Sequence, residues 1–102
     1  MATYRVTTAE IRRHFNDSGY YERDDVLKTL KSRHPASPDF HQPPGTASET
    51  VLYSEIREGR FVSVAIVHQF VLPDGTISNS VQRPDPKWLR VGDNFYLIQR
   101  NS

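Results

Sequence analysis

The sequence predicts an α+β fold, with two N-terminal helices packed on a roughly four-stranded antiparallel sheet that runs as a meander. Three observations carry this expectation. A helix start signal stands at Thr7, residues 22–33 have the charge polarity of a second helix, and apolar extended runs separated by tight-turn sequences follow from Thr50. The 102 residues make room for one domain, 1–102, with one core. A chain of this size buries roughly two-thirds of its unfolded surface and can fold without covalent staples.

The first helix is placed at about 7–17. Thr7 and Glu10 have capping-box spacing, Ile11 and Phe15 share one face, and Gly19 supplies the left-handed residue that ends it. The second is placed at about 22–33. Glu22, Asp24 and Asp25 gather at its start and Lys28, Lys31, Arg33 and His34 at its end, as the helix dipole favours. Val26, Leu27 and Leu30 form its apolar stripe, and Pro35 stops it. Residues 34–50 hold four prolines and read as a long loop, with Phe40 as the side chain that pins it to the core.

The sheet occupies about 51–99. Val51–Arg57 reads as a strand, and Glu58-Gly59 as a hairpin turn. Arg60–Leu72 is apolar on both alternating faces, which predicts a central strand. Pro73-Asp74-Gly75 is a turn, and Thr76–Gln82 reads as a polar edge strand. Asp85 before Pro86 has the character of a cap and first helical residue, so a helical turn over 86–89 is expected, then a last strand from Phe95 to Gln99. The predicted core is Ile11, Phe15, Val26, Leu27, Leu30, Val62, Val64, Ile66, Phe70, Leu72 and Leu97.

Composition excludes several chemistries. With no cysteine there is no disulfide framework, thiolate metal site or cysteine nucleophile. No apolar run is long enough to span a bilayer, and none near Met1 resembles a signal peptide. The expectation is a soluble, cytoplasmic protein with no membrane partner. Thirteen basic residues face twelve acidic ones, for a net charge of +1, so any basic patch has to be made by folding.

No phosphate loop, serine elbow or paired-histidine metal motif occurs, and no metal or cofactor is expected. His68 stands out because a titratable ring in an apolar strand is costly unless paired. It reads either as a general acid/base in a cleft or as a hydrogen-bonded histidine at the core's edge. Arg83, Asp85, Lys87 and Arg90 surround Trp88, the single tryptophan. That segment reads either as a phosphate-holding, base-stacking surface or as a cap, a packed ring and solvated cations.

Three functions follow. The leading expectation is a non-enzymatic interaction or regulatory module that binds a protein partner, or a second copy of itself, through a sheet edge or the Trp88 surface. The second is a metal-independent RNA-cleaving domain, with His68 as base, Arg83 and Lys87 on phosphate and Trp88 as stacking platform. Helices followed by an antiparallel meander are an element order similar to that of small RelE/barnase-type ribonucleases and toxins, a likeness of fold alone with no motif of that group matched. The third is a winged-helix DNA-binding protein using Lys28, Lys31, Arg57 and Arg60.

Overall fold

The protein is mostly β. The computed structural model describes residues 2–79 and 81–99. In chain order these form β1 (Ala2–Val6), α1 (Thr8–Ser18), β2 (Leu27–Pro35), a 3-10 turn (Pro38–Phe40), β3 (Ala47–Arg57), β4 (Arg60–Val71), β5 (Asp85–Val91) and β6 (Asn94–Ile98). The strands make one sheet in the order β1-β6-β5-β4-β3-β2. β1 runs parallel to β6 and every other neighbouring pair is antiparallel, so the sheet is mixed.

α1 lies across β5 and β6. Its start is held by the reciprocal pair expected of a capping box: Glu10 N donates to Thr7 Oγ1 at 3.1 Å, and Thr7 N donates to Glu10 Oε1 at 3.2 Å. Gly19, at φ 71, closes its end. Ile11 and Phe15 are fully buried against Tyr53, Val64, Ala65, Val67, Leu89 and Tyr96, and the rings of Phe15 and Tyr53 meet edge-on at 5.6 Å.

Cross-strand partners point to the same face, and successive residues alternate. Val51, Tyr53, Val67, Leu89 and Tyr96 therefore share the face under α1. Leu52, Ile66, His68, Phe70, Trp88, Phe95 and Leu97 occupy the other face. Among the described residues no helix covers that second face, and its side chains stay partly exposed. The 3-10 turn borders one end of it, with the Phe40 ring 5.3 Å from Phe70.

Several expectations are corrected here. The two-helix, four-stranded antiparallel layout is replaced by one helix on a six-stranded mixed sheet. Residues 22–33 are not a helix: turns lead into edge strand β2, paired with β3. Their acid-to-base polarity imitates a helix, but two leucines spaced for a stripe cannot outweigh a ladder of backbone hydrogen bonds offered by β3. Leu27 and Leu30 are accordingly 48% and 52% exposed rather than core. Val62, Ile66, Phe70, Leu72 and Leu97 are only partly buried, because most of them face the uncovered side.

The helical turn over 86–89 is strand β5 instead. Pro86 sits opposite Val67 where the register with β4 shifts, and a bulge is where a residue lacking an N–H fits a sheet. The polar strand at Thr76–Gln82 reduces to one bridge, Val71 to Ile77, among its described residues; Ser80 lies outside them. The 34–50 loop narrows to 36–46, since β2 and β3 pair as far as Pro35 and Ala47. With the second helix gone, the winged-helix reading loses its scaffold, and the likeness in element order to RelE/barnase-type ribonucleases goes with it.

Candidate functional site

Folding separates charges that are balanced in the sequence. On the uncovered face the ring of Trp88 stacks on that of Phe95, with centroids 5.2 Å apart and planes within 12°. Trp88 pairs with Leu97 and Ile66 on either side, and Leu97 pairs with Arg5 of β1. Arg5 and Lys87 line one groove of about 460 Å³ with Leu97. Arg90 pairs with Phe95, and its Nε is buried without a hydrogen-bond partner.

Carboxylates lie elsewhere. Glu49 and Glu55 belong to the opposite parity of β3, where they are bound by Gln69, Arg33 and Arg57. Glu10 and Asp17 are on α1, and Asp25, Asp39, Asp74 and Asp93 are outside the strands. Asp85 stands opposite His68, but its carboxylate accepts from Arg12 Nε of α1 at 2.6 Å. Among the described strand residues of the uncovered face Asp85 is thus the only carboxylate, and it is bound to Arg12, while Arg5, Lys87 and Arg90 supply the cations.

One strand spacing from Trp88, a polar row crosses the same face. His68 Nε2 and Ser48 Oγ are 2.7 Å apart. Ser48 is also the cross-strand partner of His34 on edge strand β2. The His34 Nδ1 lies 3.1 Å from the carbonyl oxygen of Pro35, which can only accept, so that nitrogen carries the proton and Nε2 is left to solvent. The His68 ring meets Phe70 edge-on at 4.7 Å. Burial lowers the His68 pKa below its ordinary value; the charge of Lys87 lowers it further, Asp85 acts in the opposite direction, and His34 adds a small lowering. His68 is therefore predominantly a neutral imidazole at pH 7.

Of the sequence-derived site residues, His68, Lys87, Trp88 and Arg90 come together at this face. Arg83 does not. Its guanidinium pairs with Glu22, reaches Asn16 Oδ1 at 3.4 Å and lies 5.3 Å over the Tyr21 ring, on the α1 side of the sheet. Asp85 stands opposite His68 in register, but its carboxylate is taken up by Arg12 of α1.

Sequence reasoning missed Arg5, His34, Ser48 and Phe95 as members of the site. Arg5 lies in a stretch to which the sequence assigns no element, His34 and Ser48 in residues that read as a loop, and Phe95 reads simply as a strand start. A period-2 reading of Ser32-Arg33-His34 would have placed His34 on the face of Ser32, but the strand partner that makes this useful is fourteen residues away.

Among the described residues no three His, Asp or Glu side chains gather in a metal-binding group, and no helix is long and apolar enough to cross a membrane. Comparison with protein-family models, with curated proteins and with solved structures finds no match to this chain.

Proposed function

We propose that the uncovered sheet face binds single-stranded nucleic acid. The observation that carries this reading is the partly exposed Trp88–Phe95 stack flanked by Arg5, Lys87 and Arg90 on a face whose one strand carboxylate, Asp85, is bound to Arg12. Every base has a π-face and every linker a negative charge, so aromatic platforms alternating with cations suit an unpaired strand. A duplex hides its base faces and would find only the cations. The face is also wide enough for several nucleotides, because six strands at about 4.8 Å spacing span on the order of 24 Å.

Trp88 is the single tryptophan, so intrinsic fluorescence reports directly on the platform. Titration with an all-deoxy single strand should quench it. The Trp88→Ala variant, followed by anisotropy of a labelled strand, should bind about 5- to 150-fold more weakly, the usual range for one lost base stack. With three phosphate contacts, log affinity should fall with log salt at a slope of about −2. Unquenched fluorescence, with affinity indifferent to salt and to Arg5→Ala/Lys87→Ala, would refute the reading.

A protein partner is the second reading, and one observation favours it. Leu27, Ile56 and Phe61 are 48%, 61% and 63% exposed at the β3–β4 hairpin end of the same face. If Ile56→Ser/Phe61→Ser alters self-association in sedimentation while strand binding is absent, the protein-docking role takes precedence.

A further inference from the structure

We infer that the polar row beside the platform cleaves RNA held there, with His68 as general base, His34 as general acid and Lys87 on the phosphate. This rests on the single-strand reading above and adds a chemical step to it. The motivating juxtaposition is that His34 and His68 flank Ser48 on an open face, next to a lysine and one strand from a base-stacking ring. His34 pairs with Ser48 and Ser48 with Phe70, whereas His68 pairs with Thr50, so the two histidines stand on β2 and β4 two residues out of line, on the order of 12 Å apart at the backbone. Between them β3 contributes the small side chains Ser48 and Thr50 to that face, while the Phe70 ring, opposite Ser48 on β4, meets His68 edge-on and borders the gap.

The step needs nothing that the chain and the RNA do not supply. His68 takes the proton of a ribose 2′-hydroxyl, and the 2′-oxygen forms a bond to the adjacent phosphorus. The bond from phosphorus to the 5′-oxygen breaks, and His34 gives that oxygen a proton. The products are a 2′,3′-cyclic phosphate and a free 5′-hydroxyl, with the ammonium of Lys87 offsetting charge on the phosphoryl oxygens. No metal or redox partner enters the balance.

The hydrogen bonds suit these roles. If His68 carries its proton on Nε2 and donates it to Ser48 Oγ, that bond survives when Nδ1 accepts the second proton. Ser48 is 7% exposed, which makes it a positioning residue rather than a nucleophile. His34 Nδ1–H is spent on the Pro35 carbonyl, leaving Nε2 as the proton donor in the imidazolium form. The charges that act on His68 are those of Lys87 and Asp85 from β5 and of His34 from β2; burial, Lys87 and His34 favour its basic form, and Asp85 opposes them.

The test uses a labelled strand containing one ribonucleotide among deoxynucleotides, with EDTA present, beside the all-deoxy strand. Scission only on the 3′ side of the ribose, ending in a cyclic phosphate, is the expected result. His68→Ala and His34→Ala should each slow it by about 10²-fold or more. Ser48→Ala should displace the acidic limb of the pH–rate profile, and Ser48→Thr should restore it. Circular dichroism on each variant, with His68→Gln as a second substitution, separates lost chemistry from lost folding.

Wild-type protein that binds the all-deoxy strand yet leaves the ribose-containing strand intact would overturn the cleavage step alone. Scission that persists in folded His68→Ala would overturn it too. Absence of both binding and scission would remove the platform reading as well.

Discussion

At the residue scale, Thr7 and Glu10 exchange two hydrogen bonds at the head of α1, and removal of the hydroxyl leaves a helix amide unpaired. Thr7→Ala should lower stability by about 1 kcal/mol in denaturant titrations. Glu10 has its pKa lowered by the Thr7 backbone and hydroxyl, so its contribution is present above the unfolded carboxylate value and is lost as pH falls through the folded one. His68 has the opposite consequence for acid. Its folded pKa is lowered, so the unfolded chain binds more protons once pH drops below about 6.5, the ordinary histidine value. Stability should decline from there until the folded value is passed, and His68→Gln should flatten that part of the profile. A nuclear magnetic resonance titration should place the His68 midpoint below 6.5, and Lys87→Met should raise it. A midpoint unmoved in Lys87→Met would show that the two side chains do not face each other.

At the element scale, the β3–β4 hairpin turns through Glu58 and Gly59 at φ 51 and 76, the left-handed pair of a two-residue turn. Gly59 suits its position and Glu58 does not, so Glu58→Asn should stabilise the protein by up to about 1 kcal/mol, read as a raised thermal midpoint. β2 is the long exposed edge of the sheet, and its register shifts between Leu30 and Ser32, leaving Lys31 as the extra residue. A bulged lysine keeps a second sheet from adding to that edge. Lys31→Val should produce concentration-dependent larger species in light scattering, while the wild-type protein does not. The same cations made β2 look like a helix end: polarity along a segment is shared by both structures, and only the ladder with β3 tells them apart. α1 was legible because its cap and its stop are local. β5 was not, because Asp-Pro is a helix start until a bulge opposite Val67 and Ile66 makes it a strand.

At the scale of the whole molecule, one helix covers one face of part of a six-stranded sheet. Stability is therefore concentrated under α1. Phe15→Ala removes a ring that is 1% exposed and should cost about 3–5 kcal/mol, much of the stability expected for a domain of this size. Trp88→Ala, on the uncovered face, should leave the chain folded at 25 °C, as circular dichroism would show. The two rings separate the jobs of the two faces: one holds the fold, the other is left free for a ligand. Under β2 and β3 the helix side is also incompletely covered, leaving a groove of about 620 Å³ lined by Tyr21, Lys28 and Tyr53.

What the sequence by itself determined is local: the capped helix at Thr7–Gly19, the turns at Glu58-Gly59 and Pro73–Gly75, the apolar run of β4, and His68 and Trp88 as the side chains most in need of explanation. Each rests on residues within a few positions of one another. The tertiary structure alone decided that residues 27–35 pair as a strand, that Asp85–Val91 lies beside β4, and that Arg5, Lys87, Arg90, His34 and His68 share a face whose one strand carboxylate, Asp85, is bound to Arg12. The β1–β6, β2–β3 and β4–β5 pairings among them reach across twelve to ninety-two residues of chain. No local propensity encodes such pairings, because their free energy comes from partners that folding has first to bring alongside.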